Sequence, residues 1–103
     1  MTYEEYARQT EFTAAYPDAL KRNTAELMYL SLGLSAETGE VANHIKKIYR
    51  GDKLNQEDLV LELGDVFWYL SRLLSALDVP LEEVLAKNVI KLQRRKAENT
   101  LIR

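Results

Sequence analysis

Residues 27–50, LMYLSLGLSAETGEVANHIKKIYR, and 56–77, QEDLVLELGDVFWYLSRLLSAL, decide the fold. A helix advances about 100° per residue. That step gathers Leu27, Leu30, Leu34, Val41, Ile45 and Ile48 on one face of the first stretch. On the second it gathers Leu59, Leu63, Val66, Leu70, Leu73 and Leu77. Glu37, Glu40, His44 and Lys47 run along one edge of the first face, and Glu62, Asp65, Tyr69 and Arg72 along the matching edge of the second. When two such helices bury their apolar faces, the edge stripes meet at the rim of the core.

The flanking residues mark where these helices begin and end. Asn23 opens the first stretch, with Glu26 three residues on as a capping-box partner, and Gly51 closes it just after Arg50. Gly33 is a point where this long stretch could divide. The second begins after Asn55 and reaches Leu77. Asp78-Val79-Pro80 then starts a further helix to about Lys96, since proline is tolerated in a first turn. Thr2, with Glu5 as its box partner, opens a helix that ends before Pro17, and the tail Ala97–Arg103 is expected to fray. There are only four glycines and two prolines, and no strand alternation. Short loops between long helices favour antiparallel neighbours. The sequence predicts one all-α domain over residues 1–103, an antiparallel bundle of about four helices. Residues Val66 to Leu70 are apolar almost all round, so that helix needs more cover than three neighbours supply. A homodimer or homotetramer is therefore expected.

Composition removes several kinds of function. A formal charge of −2 gives no general basic field for nucleic acid. With no cysteine, disulfides, thiolate zinc sites and cysteine nucleophiles are excluded. The start Met1-Thr-Tyr-Glu-Glu lacks a basic, apolar leader. The longest uncharged run, Leu27 to Ala36, is half of the roughly 20 residues a membrane span needs. A cytoplasmic protein is expected, with no membrane partner.

The acids carry the chemistry. Glu37-Thr-Gly-Glu40 and Glu62-Leu-Gly-Asp65 repeat one acid-x-Gly-acid unit. Carboxylates about 6 Å apart, at an effective dielectric near 20, repel by roughly 3 kcal/mol per pair. A divalent cation removes the conflict, and oxygen-only ligands suit Mg²⁺ or Mn²⁺. Gly39 and Gly64, each costing about 1 kcal/mol against alanine, point to close helix approach beside the acids. One such pair alone is ordinarily a solvated face; two, each beside an apolar stripe, are not readily explained that way.

These residues resemble the MazG-like all-alpha nucleoside triphosphate pyrophosphohydrolases. The family pattern is Glu-Glu-x-x-Glu, a gap, then Glu-x-x-Asp. The likeness extends through Leu32-Gly33-Leu34, Val41-Ala42-Asn43, Lys46-Lys47, Val66 to Leu70, Leu81 to Val84, and Asn88 to Lys96, covering about residues 25–100. Ala36 stands where the stricter pattern has its first glutamate, which bears on tuning around the metal rather than on the four ligands.

The resemblance implies Mg²⁺ held by Glu37, Glu40, Glu62 and Asp65, with Mn²⁺ able to substitute. It implies Glu37 or Glu40 as the group that activates water, and hydrolysis of a (deoxy)nucleoside triphosphate to the monophosphate and pyrophosphate, for nucleotide-pool cleansing or control. It makes Asn88 a phosphate or sugar contact and Tyr69 a neighbour of the nucleotide. Lys47, Lys91 and Arg95 are candidate phosphate contacts. For Asn88 the plainer account is a satisfied core asparagine; for Lys91 and Arg95, complementing a helix dipole; for Lys47, a salt bridge. His44, the sole histidine, reads as a flanking residue. Phe12, Tyr16 and Tyr29 are candidates for stacking on a base. Two other readings remain: phosphoribosyl-ATP pyrophosphohydrolase, which shares the architecture, and a non-catalytic helical interaction module.

Overall fold

The structure, a computed structural model, describes residues 1–102. Among them are four helices and no strand: α1 (Tyr3–Phe12), α2 (Thr24–Tyr49), α3 (Gln56–Leu77) and α4 (Leu81–Ala97). The caps explain the boundaries. Thr2 Oγ1 accepts the Glu5 N–H at 3.1 Å, and the Glu5 carboxylate accepts the Thr2 N–H at 3.2 Å. Asn23 and Asn55 each accept the N–H three residues on, at 2.9 and 3.1 Å. Gly51, at φ 111°, follows the end of α2 as expected. Asp78 ends α3 in the left-handed region, at φ 56°. Pro80 caps α4 from outside rather than sitting in its first turn. Gly33 does not divide α2, which is continuous for 26 residues. Ala97 still belongs to α4, and a turn follows it in which the Thr100 N–H reaches Arg95 O at 2.8 Å; Arg103, the last residue of the tail expected to fray, lies outside the described residues.

Helices α2 and α3 form an antiparallel hairpin, with Gly33 against Tyr69 at one level and His44 against Glu62 at another. Helix α1 lies on α3. Tyr3 Oη and Ser71 Oγ share a hydrogen bond of 3.0 Å, and Trp68 Nε1 donates to Thr13 Oγ1 at 2.8 Å. The apolar core is small: Leu30, Leu74 and Tyr16. Polar Thr10, Glu26, Ser71 and Arg72 are buried with them.

Glu26, fully buried, organises the connection between α1 and α2. Its carboxylate accepts from Tyr16 Oη at 2.5 Å, Leu20 N–H at 2.8 Å and Arg22 N–H at 2.8 Å. Asp18, Leu20 and Arg22 have φ of 62°, 65° and 53°. Each left-handed residue costs roughly 1–2 kcal/mol. Backbone that alternates in this way turns its N–H groups towards one point and forms an anion-binding nest. Here the chain's own carboxylate fills it. The expected capping-box role of Glu26 gives way to this one.

Two expectations need correction. Within one chain α4 does not join the bundle: it shares no extended packing with another helix, and all its residues except Leu81 and Arg95 are exposed. The buried side of α3 is also rotated from the expected one. Ser71, Arg72 and Leu74 are buried; of the expected face, Leu59, Val66 and Leu73 are half-buried, while Leu63, Leu70 and Leu77 are exposed, as is Phe67. The cause is α1, which covers the Trp68–Ser71–Arg72 side and leaves an apolar side bare. Ile45 of α2 is likewise 49% exposed. The Cα radius of gyration is 16.4 Å, against about 13 Å for a compact chain of this length. The accessible surface is 7829 Å², about 1,900 Å² more than size scaling gives for a monomer.

Candidate metal centre

The antiparallel register places the acids. With Tyr69 over Gly33, Asp65 comes opposite Glu37 one turn along, and Glu62 opposite Glu40 one turn further. Glu37 and Glu62 are half-buried; Glu40 and Asp65 are exposed. Burial pushes the Glu37 carboxyl above its ordinary pKa, and the charges of Asp65, Glu40 and Glu62 add to the rise. The four acids therefore share one electrostatic neighbourhood.

That neighbourhood holds no lysine or arginine ion pair among the described residues: none is made with Glu37, Glu40, Glu62 or Asp65. Glu62 Oε2 is buried without a hydrogen-bond partner, with His44 Nδ1 3.3 Å away. An orphaned buried carboxylate oxygen beside three more carboxylates suits a hard divalent cation. Among the described residues no three His, Cys, Asp or Glu side chains stand as a ready-made metal shell. The backbone sets the acids on facing turns, and rotation of the side chains about their own bonds must do the rest.

Tyr69 stands next to this group. Burial raises its pKa, as do Tyr29, Glu37 and Asp65. Beyond the acids, a cleft of about 430 Å³ opens between the end of α2 and the start of α3, with Lys47, Lys53, His44 and Glu62 among its walls. Lys47 thus borders the acids at Glu62. Asn88, Lys91 and Arg95 do not join them within one chain, because α4 stands apart. Asn88 is exposed, so the buried asparagine expected on the apolar side of α4 is not found. Lys91 is exposed too, while Arg95 is half-buried with Nη1 lacking a partner.

The stacking candidates separate clearly. Tyr16 is buried, and its ring stacks on Tyr29 at 4.9 Å and 11°. It cannot also face a base. Tyr29 is 41% exposed, and Phe12 is 87% exposed at the end of α1. Gly39 and Gly64 have open space where a Cβ would stand, so the close approach expected beside the acid pairs occurs at Gly33 instead. Sequence reasoning missed Gly33 as the contact point and Glu26 as a buried anchor. No periodic signal marks either, since both depend on what another helix brings.

An all-helical chain with paired carboxylates facing each other across a helix hairpin is the class that fold and site define. The chain belongs to the MazG nucleotide pyrophosphohydrolase domain family, whose model matches residues 25–99. Over 90 residues it is 46% identical to the Gene 37 protein of Mycobacterium phage L5, an alignment covering 82% of this chain and 79% of that protein. No solved structure matches it. Among the described residues no helix is long and apolar enough to cross a membrane.

Proposed function

We propose that the chain hydrolyses a (deoxy)nucleoside triphosphate to the monophosphate and pyrophosphate, for cleansing or control of a nucleotide pool. The observation that carries this is the uncompensated group Glu37, Glu40, Glu62 and Asp65, in a chain of the MazG family. These four would hold Mg²⁺, or Mn²⁺ in its place. Such an ion lowers the pKa of bound water and neutralises phosphate charge. Glu37 or Glu40 orients the attacking water and takes its proton at a carboxylate oxygen. The water oxygen attacks the α-phosphorus, and pyrophosphate leaves. Lys47 reaches phosphate from the adjoining cleft, and the Tyr69 hydroxyl faces the nucleotide. Catalysis of this kind is mostly positioning and electrostatics.

The working form we propose is a homodimer, or a homotetramer built from it. An obligate dimer buries about 1,000–2,500 Å² per chain, a range that contains the excess surface found here. Leu63, Phe67, Leu70 and Leu77 of α3 and Val84, Leu85 and Leu92 of α4 offer the apolar area. Asn88, Lys91 and Arg95 serve phosphate only in an assembly that returns α4 to the acids.

The test is a screen of (d)NTPs and phosphoribosyl-ATP with Mg²⁺ and Mn²⁺, scored by product, beside sedimentation of the same protein. Monophosphate and pyrophosphate from a (d)NTP, lost in the Glu40→Ala/Asp65→Ala variant, is the expected result. Diphosphate plus orthophosphate, or turnover untouched by that variant, overturns the reading. A monomer at micromolar concentration overturns the assembly.

A further inference from the structure

Gly33 lies beneath the ring of Tyr69. A Cβ at Gly33 would overlap Cε1 of Tyr69 and stand 2.5 Å from its Cζ and 2.6 Å from its Cδ1. Carbon atoms in contact sit about 3.5–4.0 Å apart, so no side chain fits while the ring stays. The ring is also held from its own helix. Trp68 packs edge-on against it at 5.0 Å. Trp68 is fixed in turn by its bond to Thr13 and by edge contact with Tyr16 at 6.0 Å. Glu26 anchors Tyr16.

The next turn in each chain direction carries acid. Glu37 follows Gly33 by one turn of α2, and Asp65 precedes Tyr69 by one turn of α3. The spacing of the two helices at the acids is therefore set by how closely Tyr69 can lie on α2. Gly39 and Gly64, which stand between the acids of each pair, face open space and set nothing.

We propose that Gly33 is a positioning residue for the reaction, acting through Tyr69: the missing side chain seats the ring, and the seat fixes the helix spacing at Glu37 and Asp65. This rests on the metal-dependent reading above. An added methyl group drives the ring out, separates α2 from α3 and pulls the facing acids apart.

Four proteins test it: wild type, Gly33→Ala, Tyr69→Ala and the double variant. The readouts are Mn²⁺ affinity by electron paramagnetic resonance, emission of Trp68, and pyrophosphate release. Gly33→Ala is expected to shift Trp68 emission and to weaken Mn²⁺ binding by about tenfold or more, the range for residues that orient ligands from outside. In the Tyr69→Ala background the same change is expected to alter Mn²⁺ affinity by less than about twofold, because coupled residues do not add. Tyr69→Phe keeps the ring and is expected to keep wild-type affinity.

An equal loss with and without Tyr69, or Gly33→Ala binding Mn²⁺ as wild type does, overturns the proposal. If Gly33→Ala alone fails to fold, a folded double variant that binds like Tyr69→Ala supports it, and an unfolded double variant overturns it. Wild type that binds Mn²⁺ but cleaves no triphosphate defeats the proposed function while the Mn²⁺ series still decides Gly33. Wild type that binds no Mn²⁺ defeats both.

Discussion

The hairpin of α2 and α3 holds carboxylates at two levels, and their surroundings are opposite. Glu26, near the start of α2, is fully buried and accepts three hydrogen bonds. Glu37, Glu40, Glu62 and Asp65, further along, are half-buried or exposed, in one electrostatic neighbourhood and without a lysine or arginine partner. Burial alone would raise the Glu26 pKa, but the bonds from Tyr16, Leu20 and Arg22, with the charge of Arg72, hold it below the ordinary value. Burial and like charges hold Glu37 above it. One carboxylate has its hydrogen bonds completed by its own chain; the others do not. The depth of a charged group is thus a poor guide to its role, and the better question is whether its bonds are complete.

Breaking the finished end has the largest expected effect. Glu26→Ala leaves the Tyr16 hydroxyl and the N–H groups of left-handed Leu20 and Arg22 without their acceptor, so a loss of about 3–5 kcal/mol is expected in urea unfolding. At the unfinished end, Glu40→Gln is expected to cut pyrophosphate release by about 10²–10³-fold, as loss of a charge-stabilising group does elsewhere, with folding intact by circular dichroism. Magnesium sharpens the contrast. At about 100 times its dissociation constant it is expected to stabilise wild type by roughly 2.7 kcal/mol, an effect that Glu40→Gln reduces and EDTA abolishes.

The smallest effect has the opposite sign to the first. In EDTA, Glu37→Gln relieves repulsion and is expected to stabilise the chain by about 0.5 kcal/mol. Acid titration follows the same division. Glu37, raised on folding, binds its proton more tightly in the native state, so stability rises slightly as pH falls through that raised value. Glu26, lowered on folding, contributes stability above its ordinary value near 4.5 and loses it as pH drops through the lowered one. Glu26→Gln is expected to flatten the acid limb of the stability profile and Glu37→Gln the small gain before it, both measured by thermal unfolding without metal.

What could be read beforehand was local. Thr2, Asn23, Asn55 and Gly51 act on their own helix ends, and each did what its residue type dictates. The facing of the two acid pairs followed from periodicity, because the pairs lie on helices that do pack together. Periodicity failed on α3 for a physical reason. Arg72 and Ser71 are buried by hydrogen bonds to α1, at Thr10 and Tyr3, which no hydrophobic count reveals. It failed for α4 because an amphipathic helix states that it will be covered but not by which chain. Gly33 was legible as a glycine in a helix, yet the ring that it faces, Tyr69, belongs to another helix.

The nest around Glu26 has one more consequence. Its donors are backbone N–H groups of Leu20 and Arg22, which remain after the side chain is cut back. A chain shortened there carries a small vacant receptor for a carboxylate. Formate or acetate from the buffer would refill it, so part of the lost stability should return as the concentration of the added carboxylate rises.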